Sequence, residues 1–182
     1  MQAEEIYYLL KPFCELGEVR GRTMAQKIFY LLQSLGYPTR LQYILHYFGP
    51  YSEDLTSFLQ FASRSDPQLL VEDPKRLPPE GIRFDYRCTE PAAELIKALE
   101  KDLISPEQAE TASRFCETAK AVNSKSAKVL ELAATVLYFE KERGCSRAEA
   151  CEKTRAMKAT KADKGSMNAA TALLSEISPP AR

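Results

Sequence analysis

The segment from Gly21 to Leu59 constrains the fold more than any other part of this chain. An amphipathic helix, predicted over about residues 24–35, is followed by an aromatic corner, LHYFGPYSEDL, and then by a second amphipathic helix. Thr23 and Ser52 precede the two helices, where a hydroxyl can accept a hydrogen bond from a first-turn amide. Nearly every residue here has a packing or capping role, so the segment predicts a fold and not a reaction.

One helix is expected before this segment and one short strand inside it. Apolar residues at helical spacing predict a helix over about residues 2–16 that Gly17 ends. The aromatic and β-branched run Tyr43–Phe48 predicts a short strand, and Gly49 with Pro50 predicts a turn directly after it.

Two extended runs, Leu69–Glu72 and Ile82–Cys88, follow the third helix. The sequence DPKRLPPEG separates them, and its prolines and glycine favour a loop over a tight hairpin turn. Helix, helix, strand, helix and strand pair is the order of a winged-helix domain.

The second half of the chain is predicted to be helical throughout. Three of its helices have clear N-terminal signals: Thr89 before a helix of about residues 90–103, and the capping boxes Ser105 to Gln108 and Ser146 to Glu149. A helix of about residues 126–143 is apolar nearly all round and should be the core of this half. Met167–Ile177 is predicted to form a last short helix.

We therefore expect a mainly α protein with a small β wing. Its winged-helix-like N-terminal half would span residues 1–103, and residues 104–182 would form a helical bundle that packs on it or extends from it. Lys plus Arg equals Asp plus Glu at 25 each, so no long-range field draws the chain to nucleic acid or to an anionic membrane.

The cysteines and the N-terminus indicate a compartment. Five cysteines, odd in number and without a CxxC pair, predict free and mostly buried thiols, as in a reducing cytoplasm. The start MQAEEIYY lacks a basic region ahead of an apolar run, and no window approaches the length of a membrane span. We expect a soluble, cytoplasmic protein with no membrane partner.

No residue pattern predicts catalysis, a metal or a cofactor. His46 is the sole histidine and has no cysteine or carboxylate at ligand spacing, so a half-buried, hydrogen-bonded histidine is favoured over a functional one. Glu53 and Asp54 are adjacent and point about 100° apart on a helix, which favours charges at a helix N-terminus over an acid and base pair. An enzyme is therefore the last-ranked class.

Two features of the segment have a structural and a functional interpretation. The aromatic residues Tyr43, Tyr47, Phe48 and Tyr51 are expected to pack around the corner, because no basic residues are interleaved for stacking on nucleic acid. Lys27 is expected to reach solvent or a carboxylate, with contact to a partner surface as the alternative.

Two local basic patches are the candidates for a nucleic-acid contact. Lys75 and Arg76 lie at the tip of the predicted wing, and four cations recur at three-residue spacing near the C-terminus. The third helix argues against duplex recognition, because its first turn carries two carboxylates that would meet phosphates. The C-terminal cations are Arg155, Lys158, Lys161 and Lys164.

GRTMAQKIFYLLQSLGY followed by LHYFGPYSEDL resembles the YwgA family of small bacterial and archaeal proteins and, more distantly, the Panacea antitoxin domain. Both show a Gln-Lys pair on an early helix and a Gly-Pro-Tyr-Ser corner. The resemblance implies a winged-helix-like regulatory or interaction module whose partner is another protein, with an antitoxin-like role as one form of it. The residues carried over as partner-binding candidates are Gln26, Lys27, His46 and Tyr51.

We rank a protein-interaction or regulatory module first and a winged-helix DNA-binding transcriptional regulator second. The fold supports both, so the order rests on where the charges lie. The oligomeric state stays open.

Overall fold

The computed structural model describes residues 2–177. Within them the chain is mainly α with a small antiparallel β component, as the sequence predicts. In chain order the elements are α1 (Ala3–Leu16), β1 (Glu18–Arg20), α2 (Arg22–Ser34), β2 (Ile44–His46), β3 (Gly49–Tyr51), α3 (Glu53–Arg64), β4 (Leu70–Leu77), β5 (Gly81–Cys88), α4 (Glu90–Asp102), α5 (Pro106–Asn123), α6 (Ala127–Arg143), α7 (Arg147–Met157) and α8 (Lys164–Glu176).

The wing is a three-stranded antiparallel sheet in the order β1-β5-β4. β4 and β5 pair along their whole length, from Leu70 opposite Cys88 to Leu77 opposite Gly81. The loop predicted at DPKRLPPEG is therefore wrong, because the strand continues through Pro74 and only three residues connect the two strands. β1 was not predicted, because its three residues are too few to show an alternating pattern.

β2 and β3 form a separate two-stranded hairpin in which His46 pairs with Gly49. Tyr47 and Phe48 form its turn, so the prediction that Gly49 and Pro50 turn the chain is wrong. Both of those residues belong to β3, and both are buried.

Most of the predicted helix starts are confirmed. The side chains of Ser52 and Thr89 accept bonds from first-turn amides, and the predicted boxes at Ser105 and Ser146 are complete. Two starts are wrong. α2 begins at Arg22 after Gly21, which has no capping side chain, and α8 begins at Lys164 after Asp163, whose carboxylate accepts from the Ser166 amide.

Buried side chains from both halves form one continuous hydrophobic cluster. α6 packs against α2, α7 and α8, and α1 packs against α4 and α5. The stripe of α3 is buried as predicted, with Leu55, Phe58, Leu59 and Ala62 facing the core. The division at residue 103 stays a prediction, although the helices of the second half lie directly on those of the first.

The cysteine prediction is wrong for two of the five. Cys14 of α1 and Cys88 at the end of β5 form a disulfide, with Cα atoms 4.9 Å apart. They are 74 residues apart in sequence, so no local pattern pairs them. Cys116, Cys145 and Cys151 are free, and burial raises the pKa of the Cys116 thiol to about 12. Cys116 is thus a poor nucleophile.

Across residues 2–177, no helix combines the length and the apolar character needed to cross a membrane.

Candidate interaction cleft

Gln26 and Lys27 lie on the buried side of α2, where each forms hydrogen bonds with a different part of the aromatic corner. The side-chain amide of Gln26 donates to the Ser52 carbonyl oxygen and accepts from the Ser52 amide, both at 2.8 Å. It also donates to the hydroxyl of Thr56, at 3.1 Å. Gln26 therefore holds the start of α3 against α2.

Lys27 fastens the hairpin. Its ammonium donates to the Pro50 carbonyl oxygen at 2.6 Å, and only 2% of the residue is exposed. The expectation that Lys27 reaches solvent or a carboxylate is wrong, because the hairpin folds over it. Burial lowers the pKa of Lys27 to about 7; the charge of Glu131 opposes that change, and the charges of Lys158 and Lys161 add to it.

The hairpin approaches α6 closely at Gly49, whose φ is +86°. A Cβ added there would lie 2.8 Å from the Thr135 hydroxyl oxygen and 3.3 Å from Cε of Lys27. Glycine is the residue that fits both this backbone conformation and this contact. Because the hairpin packs so closely on α6, it covers a buried cluster of charged side chains on that helix.

That cluster centres on Glu131 of α6, which is 4% exposed. Its two carboxylate oxygens lie 2.9 Å from the Lys158 ammonium and 2.8 Å from the Lys161 ammonium. Burial alone would raise the pKa of Glu131, but the two lysines together lower it. The turn rings cover both lysines: Tyr47 lies 5.2 Å from Lys158 and Phe48 lies 4.9 Å from Lys161.

The cluster divides the predicted C-terminal basic patch. Lys158 and Lys161 turn inward to Glu131, whereas Arg155 and Lys164 are exposed. The four cations therefore do not present one basic surface.

The wing cations remain on the surface. Lys75 and Arg76 are exposed on β4, and Lys75 lies 2.6 Å from the carboxylate of Asp73 on the same strand. A phosphate that approached Lys75 would compete with that carboxylate.

The four partner-binding candidates meet in one place, which we call the lysine pocket. It has a volume of about 330 Å³. Gln26 and Lys27 lie deep in the fold, and His46 and Tyr51 belong to the hairpin. The imidazole of His46 is exposed and lies beside the Tyr51 and Phe48 rings, so the expectation of a half-buried histidine is wrong. The described lining is Arg22, Thr23, Gln26, Lys27, His46, Phe48 and Tyr51.

A larger cleft of about 670 Å³, which we call the wing cleft, shares Arg22, Thr23 and Phe48 with the lysine pocket. It runs between the wing, the start of α2 and the start of α6. Three of its large apolar side chains are open to solvent, with Phe48 46%, Leu77 40% and Ile82 63% exposed, whereas Met24 is buried. Its cations are Arg20, Arg22, Arg83, Lys128 and Lys161.

The aromatic corner is thus divided between core and surface. Tyr43 is half-buried, but Tyr47 and Phe48 are exposed, so the expectation that the corner packs entirely inward is wrong for them. They occupy the hairpin turn, where each ring lies over a lysine and still remains largely open to solvent.

Glu131 and Thr135, which form the surface of α6 beneath the hairpin, were not predicted as site residues. A glutamate within a helix that is otherwise apolar nearly all round is the signal that points to Glu131, because a buried carboxylate needs cationic partners. Across residues 2–177, no three His, Cys, Asp or Glu side chains are placed to hold a metal ion.

Fold and cleft together define a mainly α protein with a small β wing and a cationic, apolar cleft beside it. No protein-family model matches the chain. Over 134 residues it is 32% identical to an uncharacterized protein, YwgA of Bacillus subtilis (strain 168), and the match covers 72% of each chain. The chain belongs to the YwgA family.

Proposed function

We propose that this protein is a non-enzymatic regulatory module that binds another protein in the wing cleft. The observation that carries the proposal is the grouping of Phe48, Leu77 and Ile82, all strongly exposed, around one concave surface. Large apolar side chains gathered on a surface, with polar groups at the rim, are typical of protein-binding sites.

The winged-helix assignment is part of this proposal. It is supported by the order α1, β1, α2, α3, β4, β5 and by the sheet order β1-β5-β4, in which the long β4–β5 hairpin is the wing. The fold hosts many functions, so the proposal rests on the cleft and not on the fold.

Charge in the cleft indicates the partner's chemistry. The described lining holds five cations and one carboxylate, Glu131, which two lysines already neutralise. Arg83 is paired with the buried Asp85 and Lys161 with Glu131, whereas Arg20, Arg22 and Lys128 are each paired with a carboxylate near the surface, at Glu18, Glu72 and Asp163. Such exposed pairs contribute little, about 0–1 kcal/mol, so an incoming carboxylate can share the cations. The partner segment should carry apolar side chains flanked by Asp or Glu.

An antitoxin-like role is a narrower form of the proposal. It rests only on the resemblance of the Gln-Lys pair and the Gly-Pro-Tyr-Ser corner to the Panacea domain. It makes the partner a toxin, which coexpression of the chain would neutralise.

The proposal is tested with the full-length chain, tagged and recovered from its own cells. We expect one partner in stoichiometric amount with the wild type. The partner should be lost with Phe48→Ser combined with Ile82→Ser. Leu103→Ser is the matched control, because Leu103 is 55% exposed and is not in the described lining of the cleft. Recovery of the bare wild-type chain, or equal partner recovery with all variants, would contradict the proposal.

A DNA-binding transcriptional regulator is the second candidate. It is favoured by the wing, whose outer half is exposed and carries Arg76 beside Lys75. It is opposed by Glu53 and Asp54, both exposed at the start of α3, where a recognition helix would approach phosphates.

Fluorescence anisotropy with mixed duplex DNA across a salt series separates the two candidates. A DNA-binding protein would show a log–log slope of about 0.9 for each phosphate neutralised. Lys75→Glu with Arg76→Glu would then abolish binding without lowering the melting temperature. We expect no binding at low salt.

A further inference from the structure

We propose that the lysine pocket is a binding site for a small oxyanion, a carboxylate or a phosphate, whose oxygen pairs with the Lys27 ammonium. The pocket shares Arg22, Thr23 and Phe48 with the wing cleft, but Lys27 is not in the described lining of that cleft, so a test at Lys27 lets either proposal hold or fail alone.

Lys27 has hydrogen-bonding capacity that the protein does not use. An ammonium has three N–H donors, and the Pro50 carbonyl oxygen accepts one of them. Among residues 2–177 no other acceptor bonds to Lys27, although the side chain is almost fully buried. Buried donors are normally satisfied, so the other N–H groups of Lys27 are available to the oxygen of a ligand.

Beneath the hairpin, three lysines face one carboxylate. Lys27, Lys158 and Lys161 act on one another and on a single carboxylate, Glu131. Each oxygen of that carboxylate already has its own lysine, at 2.9 and 2.8 Å. Glu131 is therefore committed to the other two lysines, and Lys27 is left without a paired anion. A buried charge is stable when it is paired, so an anion beside Lys27 would complete the cluster.

Other side chains that line the pocket can also donate hydrogen bonds to an anion. Arg22 lies at the edge of the pocket and donates two hydrogen bonds, to the Tyr86 hydroxyl and to the Glu72 carboxylate. A guanidinium has five N–H groups, so others are available for a ligand. The hydroxyl of Thr23 and the imidazole of His46 make no hydrogen bond to any described residue. Together they offer donors on the side of the pocket opposite the hairpin backbone.

The start of α2 adds to this set. Gly21 is its N-cap and has no side chain to accept from the first-turn amides, and Arg22 and Thr23 of that turn line the pocket. Uncapped amides at a helix N-terminus favour an anion. A volume of about 330 Å³ suits a small molecule, and the Phe48 and Tyr51 rings supply apolar walls.

Binding should be linked to proton uptake by Lys27. Its pKa is lowered to about 7, first by burial, so part of the population is neutral in the empty pocket at neutral pH. The charged groups that face it are Glu131 of α6 and the two lysines after α7, with Arg22 on its own helix and His46 on β2. A bound anion favours the ammonium and raises that pKa.

The test is NMR spectroscopy of the full-length protein at constant ionic strength, with chloride replaced by sulfate or acetate. Neither probe titrates between pH 6 and 9; sulfate stands for a phosphate and acetate for a carboxylate. We expect saturable shifts of the Thr23 and Lys27 amides with a dissociation constant of about 1 mM or below for one probe. The Cε resonance of Lys27 should report a titration midpoint about one pH value higher at saturation. The tighter probe identifies the ligand class.

Lys27→Met removes the ammonium, and Lys75→Met is the matched control on the exposed wing. We expect Lys27→Met to weaken binding at least tenfold and Lys75→Met to leave it within a factor of about two. If Lys27→Met does not fold, the Cε titration of the wild type decides alone. An unchanged Lys27 midpoint at high sulfate and acetate, or equal binding by Lys27→Met, would overturn the proposal.

Discussion

The side-chain amide of Gln26 forms two hydrogen bonds with the backbone of Ser52, one to its carbonyl oxygen and one from its amide, both at 2.8 Å. The amide acts as a neighbouring strand would, pairing a backbone that has no strand beside it. Ser52 is fully buried, and its hydroxyl also caps α3. One side chain on α2 thereby fixes where α3 begins.

Gln26→Leu keeps the volume of the side chain but removes both bonds. The Ser52 carbonyl oxygen keeps its bonds from the amide and hydroxyl of Thr56, but the buried Ser52 amide loses its only acceptor among the described residues. We therefore expect a loss of about 1–3 kcal/mol in the free energy of unfolding. Urea denaturation measures it. Gln60→Leu, on the exposed face of α3, should change stability by less than about 0.5 kcal/mol. Equal effects of the two changes would contradict the role of Gln26.

Lys27 should make stability depend on pH in a particular direction. Its pKa is about 7 in the folded protein and returns to about 10.5 on unfolding. Between these values the unfolded chain binds more protons, so the stability contributed at Lys27 rises with pH; below pH 7 the full burial penalty is present.

The free energy of unfolding of the wild type minus that of Lys27→Met should therefore increase by about 3 kcal/mol from pH 7 to pH 9.5. The difference between the wild type and Lys75→Met should stay constant over the same range. Denaturation at each pH in chloride buffers gives both values. If the difference in unfolding free energy between the wild type and Lys27→Met did not change with pH, the ammonium would not be buried as described.

Gly49→Ala should lower the free energy of unfolding by more than the strain of a positive φ alone would. The added Cβ would lie 2.8 Å from the Thr135 hydroxyl oxygen, so the hairpin must lift from α6. We expect a loss of about 3 kcal/mol or more, from backbone strain together with overpacking.

Gly144→Ala is the matched control, because Gly144 has a φ of +63° and no atom within 4 Å of an added Cβ. That change should cost about 1–2 kcal/mol, from strain alone. Thermal unfolding compares the two variants, and equal losses would mean that the contact with Thr135 does not restrain the hairpin.

Leu55→Ala tests the core assignment of α3. Leu55 is fully buried on the predicted stripe, so its truncation leaves a cavity and should destabilise the domain by about 2–5 kcal/mol. Leu103→Ala, at a position that is 55% exposed, should cost far less. A loss below about 1 kcal/mol for Leu55→Ala would contradict the assignment.

The parts of the fold that local signals determine were predictable. The caps at Ser52 and Thr89 and the boxes at Ser105 and Ser146 each involve residues three apart, and the structure has all four. β1 was not predictable, because its three residues are ordered by Asp85, Tyr86 and Arg87, more than sixty positions away.

The site was predictable in its membership but not in its chemistry. Gln26, Lys27, His46 and Tyr51 do meet in one pocket. The burial of Lys27, however, depends on the Pro50 carbonyl and on Glu131, 104 positions away in the chain. The pairing of Cys14 with Cys88 joins residues that are 74 positions apart. Contacts of this kind form only when elements far apart in the chain pack together, so no local sequence pattern predicts them.

The most direct test of the wing cleft as a protein-binding surface is photo-crosslinking in the protein's own cells. A benzophenone side chain would replace Phe48 or Ile82 in the cleft, and Leu103 outside it as the control. We expect one and the same protein to be captured from positions 48 and 82, and not from position 103. No captured protein from either cleft position, or the same products from all three, would contradict the account.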